Sequence, residues 1–263
     1  MTNREPLQIS IENGLAVLTL NRPEVLNAID VPLAQALLAA VERIETGAGV
    51  RAILLRGAGR GFCAGGDVSK FTGIDGPHAE VADRTMRHFH PAIRGLALSP
   101  VPTVAMVHGA VAGAGIGLML ACDFVVAADT ARFSLAYAKI GASTDDGASW
   151  ILPRLLGLRK AKELAMLSDR IDAAEALRLG LINRAVAGER LEDEAMALAR
   201  RLAAGPTTAF GMIKRLMDDS FSRDLSAHLE IECEAFVKTA RTADFDEGLA
   251  SFFGKREPKF SGR

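Results

Sequence analysis

The 263-residue chain is poor in cysteine, and its three cysteines, Cys63, Cys122 and Cys233, are scattered without paired spacing. That excludes a disulfide framework as the organising device. It also lacks an excess of either charge: 31 Lys and Arg against 32 Asp and Glu leave a formal net charge of −1. Such a balance offers no basic footprint for nucleic acid or for an anionic membrane surface. No apolar run approaches the length of a bilayer span. Met1–Ser10 has neither the charged-then-apolar order of a secretory signal nor an Arg-rich transit pattern, so the cytoplasm is the expected location.

Several catalytic signatures are missing as well. Neither glycine-rich turn carries Gly-x-Gly-x-x-Gly or is followed by Gly-Lys-Ser/Thr, which removes dinucleotide and P-loop readings. No His-Glu-x-x-His occurs, and His88 and His90, two apart, point to different sides of a helix, so no metal is expected. A covalent serine triad has no Gly-x-Ser-x-Gly elbow to stand on.

What is present is a chain with 49% hydrophobic and 24% charged residues, able to bury a large core in one α/β domain or in a large domain with a small appendage. Its centre is Val104–Asp123, an apolar run that breaks at His108-Gly109 and resumes as a small-residue, helix-compatible segment. Gly109, Gly113, Gly115 and Gly117 leave the backbone bare and able to take unusual dihedrals. The first N–H groups of the helix they open have no intrahelical partners and carry partial positive charge. A second bare turn, Gly61–Asp67, follows an earlier apolar strand. Two such turns could each lend one N–H to a single oxygen that becomes negative during a reaction. Close helix packing is the plainer use of the same small residues. Cys63, beside the first turn, reads as a small buried thiol rather than a nucleophile.

In chain order, Leu7–Ile11 and Ala16–Leu20 flank Asn13-Gly14 as a hairpin. Asp30 caps a helix that has Pro32 near its start and Gly47 and Gly49 at its end. Arg51–Arg56 reads as a buried strand, and Ala79–Leu98 as a helix that Pro91 should break or kink near His90. Strands follow at Thr103–Val107 and Phe124–Ala127, a pattern that favours largely parallel pairing. The second half is helical: Arg154–Leu167, Ala173–Leu179, Leu191–Ala204, Thr207–Ser220, Leu225–Thr239 and Phe245–Phe253, with a short strand in Ile182–Val186. A core over residues 1–200 and a helical appendage over 201–263 are the expected units.

Motifs throughout the chain resemble those of the crotonase (enoyl-CoA hydratase/isomerase) superfamily. They include Leu20–Glu24 with Leu26-Asn27-Ala28, Phe62–Asp67, His108-Gly109 through Gly117, Cys122-Asp123, Leu152-Pro153-Arg154, Ala174-Glu175-Ala176 and Pro258-Lys259-Phe260. The resemblance covers nearly the whole chain in order. It implies an α/β fold, a crotonase-like spiral of ββα units with a C-terminal helical oligomerisation region that builds trimers or dimers of trimers. It also implies an acyl-CoA thioester as substrate, coenzyme A entering as part of that substrate with no separate cofactor. The thioester carbonyl would be held by the Gly66 and Ala114 amides, each fixed donor lowering the barrier by ~3–4 kcal/mol. Ala114 stands where the family usually has glycine. The adenine end would lie near Ala64, Asp67 and Val68, with Arg22 and Lys255 as basic help.

The hydratases of this family carry two glutamates at positions that here hold Gly117 and Tyr137, neither of which can activate water as a carboxylate does. Asp145 matches an aspartate used by isomerases and by 4-chlorobenzoyl-CoA dehalogenases of the family. A helix N-cap is the ordinary fate of such an aspartate, although Asp146 could cap and leave Asp145 free. His90 and Tyr137 match the dehalogenase's histidine base and tryptophan donor. A lone histidine at a helix kink is otherwise a pocket wall or a surface group. The leading expectation is an enoyl-CoA isomerase using one Asp. Weak hydration, dehalogenation, thioester hydrolysis and non-catalytic acyl-CoA binding are the alternatives.

Overall fold

The computed structural model describes residues 5–47 and 49–263; the first four residues of the Met1–Ser10 stretch lie outside the described residues. Strands β1 (Leu7–Glu12) and β2 (Leu15–Leu20) form the hairpin, turned at Asn13 and Gly14 with φ of +50° and +79°. Helix α1 (Val31–Thr46) is capped by Asp30, whose carboxylate accepts the Leu33 N–H at 3.0 Å. Then come β3 (Ala52–Gly57), α2 (His78–Ala97), β4 (Thr103–Val107), β5 (Ala110–Ala112), α3 (Ala114–Leu120), β6 (Phe124–Ala128) and β7 (Arg132–Ser134). The remainder is α4 (Ala148–Leu167), β8 (Ile171–Asp172), α5 (Ala173–Arg178), β9 (Arg184–Val186), α6 (Leu191–Ala203), α7 (Thr207–Asp219), α8 (Leu225–Thr239) and α9 (Ala243–Gly254).

Six strands form the main sheet in the order β1-β2-β3-β4-β6-β9, all parallel except the β1–β2 hairpin. A small sheet, β5-β7-β8, stands beside it. The central strands β2, β3, β4 and β6 are apolar at nearly every position because both faces are covered. Leu15, Ala52, Leu54, Val104, Met106 and Val126 face α6 through its Leu191, Ala195, Ala199 and Leu202. The alternate residues, among them Leu18, Leu20, Ile53, Leu55 and Val107, belong to the core that also takes in Leu33 and Leu37 of α1 and Phe89 and Leu96 of α2.

Three expectations change. The helix break near His90 is absent: α2 runs through Pro91. A mid-helix proline loses one hydrogen bond and crowds the preceding turn, but Phe89, Ala92, Ile93 and Leu96 around it are buried in the core, and that burial holds the helix together. Helix α4 begins at Ala148, earlier than Arg154, and is two segments joined at Gly157, which has φ +74° and ψ 157°. The boundary placed between residues 200 and 201 falls inside α6, which packs on the main sheet. Beyond it, α7 packs on α8 and also reaches the core through Phe210 and Lys214, and Phe245 of α9 stands edge-on to Phe236 of α8.

Candidate active site

The first glycine turn leaves β3 and is shaped by a buried amide. Asn27, fully buried at φ +57°, donates from Nδ2 to the carbonyls of Ala58, Gly61 and Phe62 at 2.9, 2.9 and 3.0 Å. The turn is then laced to the segment after β4: Phe62 N–H donates to His108 O, Cys63 N–H to Ala110 O, and Ala112 N–H to Cys63 O at 2.9 Å. Ile29 N–H donates to Gly65 O, and Asp67 N–H to Ile29 O, which fixes the peptides on either side of Gly66. One parallel ladder therefore sets the two glycine turns side by side.

On the cleft side the two turns meet at Gly65 and Ala114. A Cβ built on Gly65 would lie 3.0 Å from Ala112 O and 3.4 Å from the Ala114 nitrogen. Gly113, at φ +48° and ψ −127°, takes a backbone form open in practice to glycine and starts α3. Among the described residues, no backbone or side-chain acceptor takes the Gly66 or the Ala114 N–H. Space beside Gly66 is open, whereas Ala114 is 3% exposed, so its methyl is accommodated in the core without blocking its amide.

A cleft of about 750 Å³ opens over these two amides, and Tyr137 and Asp145 stand on its wall. The Tyr137 hydroxyl donates to Asp145 Oδ1 at 2.5 Å. Burial first, then the neighbouring Asp146 and Asp145 carboxylates, pushes the Tyr137 phenol far above its ordinary range, so it stays a donor. His90 is exposed, and its Nε2 lies 2.7 Å from the Asp145 carbonyl oxygen; it meets the backbone of that residue, not its carboxylate.

The N-cap of α4 is Gly147, and Asp146 just before it, not Asp145, bonds the start of the helix. Fully buried, it accepts the Ala148 N–H on Oδ1 at 3.0 Å and the Gly117 N–H on Oδ2 at 3.0 Å. Gly117 has no room for a side chain: a Cβ there would sit 2.4 Å from Asp146 Cβ and 2.7 Å from its Cγ. The place where a hydratase glutamate would start is filled by Asp146. The sequence offered Asp146 only as an alternative cap, and its bond to Gly117, 29 residues away, left no local signal.

Ala64, Asp67 and Val68 line the cleft, whereas Arg22 and Lys255 do not reach its wall. Arg22 is turned inward, its guanidinium 3.0 Å from both Asp30 and Asp67 and bonded to the Ala28 carbonyl. It braces the first turn from behind. Burial acts to raise the Asp67 carboxyl, but hydrogen bonds from Ser69 and Arg22 outweigh it and hold it below the ordinary value. Lys255 is exposed at the end of α9. Lys70 and Arg84 at the cleft, residues not singled out in the sequence, supply positive charge there instead. Cys63 is fully buried, its thiol pushed up to about 12 by burial, which leaves no thiolate for nucleophilic attack. Among the described residues, no group of three or more His, Cys, Asp or Glu side chains is arranged to hold a metal ion.

The chain is similar to known proteins along nearly its whole length. A family model described as enoyl-CoA hydratase/isomerase matches residues 10–263. The chain is 38% identical over 255 residues to a 1,2-epoxyphenylacetyl-CoA isomerase of Escherichia coli, covering 96% of this chain and 97% of that protein. It is 39% identical over 257 residues to a probable enoyl-CoA hydratase of Rhodobacter capsulatus, with 98% of each covered. The crystal structure of a putative enoyl-CoA hydratase from Streptomyces coelicolor superposes with a TM-score of 0.92 at 37% identity, covering 100% of this chain and 97% of that one.

Proposed function

The chain belongs to the enoyl-CoA hydratase/isomerase family of acyl-CoA enzymes, and within that family we propose that it is an isomerase of unsaturated acyl-CoA thioesters with Asp145 as its acid–base group. The Gly66 and Ala114 amides hold the thioester oxygen. The Asp145 carboxylate takes a proton from the acyl carbon next to the thioester, or from its vinylogue, and the electron pair moves onto that oxygen as an enolate. The same carboxyl returns the proton to a different carbon. No atom is gained or lost, and no cofactor enters the step. Tyr137 steadies Asp145 through its hydroxyl, and Ala64, Asp67 and Val68 border the path of the CoA moiety.

One observation carries this reading: the side-chain space at position 117 is closed by Asp146, while Asp145 faces the cleft beside the two amides. Of the other aspartates on the cleft wall, Asp30 and Asp67 are paired with Arg22, and Asp75 stands 4.0 Å from Lys70. Without a pair of carboxylates to activate and deliver water, hydration has no proton machinery. The similarity to the Escherichia coli epoxyphenylacetyl-CoA isomerase also favours isomerisation.

A panel of crotonyl-, 3-enoyl-, 2,5-dienoyl- and 4-chlorobenzoyl-CoA separates the possibilities. Asp145→Asn should abolish isomerisation and leave CoA-ester binding within about threefold. Unchanged turnover in that variant, or hydration of crotonyl-CoA by the wild type at ordinary enzyme rates of ~1–10³ s⁻¹, overturns the assignment. A second reading draws on the contact of His90 with the Asp145 loop. In it the Asp145 carboxylate attacks the ring carbon of an aryl-CoA, chloride departs, and water cleaves the resulting ester. Chloride release from the 4-chlorobenzoyl ester selects that reading.

We also infer self-association through α7–α9. Phe221, Leu225, Phe252 and Phe253 are between 69% and 77% exposed there, an apolar surface suited to a second copy. Light scattering that shows only monomer would remove this inference.

A further inference from the structure

Gly113 begins α3 but has no side chain with which to cap it. The cap comes from elsewhere in the chain: Asp146, fully buried, accepts the Gly117 N–H in the first turn of α3 with one carboxylate oxygen. Its other oxygen accepts the Ala148 N–H at the start of α4. One carboxylate therefore satisfies donors at two helix N-termini, where negative charge is favoured. The fit leaves no slack, since a Cβ on Gly117 would meet Asp146 atoms at 2.3 to 2.7 Å.

These bonds join the two halves of the site. Ala114, the first residue of α3, carries an amide of the cleft, and Asp145 is the chain neighbour of Asp146. We propose that Asp146 is a positioning residue: its carboxylate locks the loop bearing Asp145 to the helix bearing the Ala114 amide and sets the separation of base and oxyanion donor. The inference rests on the roles given above to Asp145 and Ala114. It follows from the steep dependence of proton abstraction on geometry: a shift of about 1 Å between reacting groups can cost ~10²-fold in rate.

The test uses the full chain, with active sites titrated by tight-binding CoA ester so that misfolded protein does not count. Asp146→Asn keeps the shape but turns an NH₂ toward one of the two N–H donors. Gly117→Ala keeps the carboxylate but forces the backbone oxygen and side chain of Asp146 aside. Each should lower kcat for the isomerised ester by ~10–100-fold, with KM and ester affinity changed less than about threefold. Amide hydrogen exchange read by mass spectrometry, which needs no turnover, should speed up at Gly117 by at least about tenfold in Asp146→Asn.

A folded Asp146→Asn enzyme with full or raised kcat overturns the proposal, as does unchanged exchange at Gly117. Equal losses in kcat and in binding would mark Asp146 as merely structural and also overturn it. If the wild type isomerises no ester, the reading of Asp145 fails, and the exchange measurement still decides whether Asp146 braces the two elements.

Discussion

The Tyr137 hydroxyl lies 2.5 Å from Asp145 Oδ1 and donates to it, so the carboxylate on the cleft wall is held in one orientation by a neutral neighbour. A cation in that place would oppose the transfer of a proton to the carboxylate far more strongly. Hydrogen bonds to charged groups contribute ~1.5–3 kcal/mol. Tyr137→Phe should therefore lower isomerase kcat by ~10–100-fold and leave CoA-ester affinity nearly unchanged. Steady-state kinetics beside direct titration of a non-reacting ester checks this. Unaltered kcat would show that Asp145 needs no orienting donor.

Gly113 tests the oxyanion contribution from the backbone alone. At φ +48° and ψ −127° an alanine is strained by ~1–3 kcal/mol, although its methyl would find 3.5 Å to the nearest heavy atom. The 113–114 peptide can relieve that strain by rotating, which turns the Ala114 N–H away from the cleft. Gly113→Ala should cost ~10²-fold or more in kcat, in the range seen on losing one oxyanion donor. A variant with normal turnover would place the carbonyl elsewhere.

Arg22 separates a structural cation from a substrate-binding one. Its guanidinium serves two carboxylates whose side chains are 11% and 7% exposed, Asp30 and Asp67. Removing one partner of a buried ion pair strands the other charge and costs ~3–5 kcal/mol. Arg22→Met should lower the denaturation midpoint accordingly, with KM for acyl-CoA altered only through the loosened Gly66 turn. A stable variant whose KM alone rises would return Arg22 to the CoA site.

Much of this was legible in the residues, and what was not has a common cause. Helix caps and hairpin turns depend on neighbours in sequence, so Asp30 and Asn13-Gly14 could be read directly. The pairing of the two bare turns was inferred because each follows an apolar strand. Pro91 misled because local propensity yielded to the packing of Phe89 and Leu96. Arg22 looked like a basic group for the substrate because the sequence does not reveal that Asp67, 45 residues away, folds back onto it. Asp146 was hidden for the same reason. Its partner Gly117 stands in the sequence only as a missing glutamate, and the crowding that excludes a side chain there exists only in three dimensions.

Asp146 also predicts how stability depends on pH. Burial raises its carboxyl from the ordinary 3.8 to about 6, the Ala148 and Gly117 N–H groups opposing that rise and the Asp145 charge adding to it. The folded protein therefore keeps a proton that the unfolded chain has released between those two values. Stability from this proton is complete below the lower value and is lost as pH rises through the upper one. At about 1.4 kcal/mol per unit, the change amounts to about 3 kcal/mol. Asp146→Asn has no such proton, so its stability relative to wild type should improve by roughly that amount between about pH 4 and about pH 7. Urea midpoints across this range for both proteins provide the measurement. Parallel curves would mean that Asp146 ionises at its ordinary value and that the two N–H donors fully offset its burial.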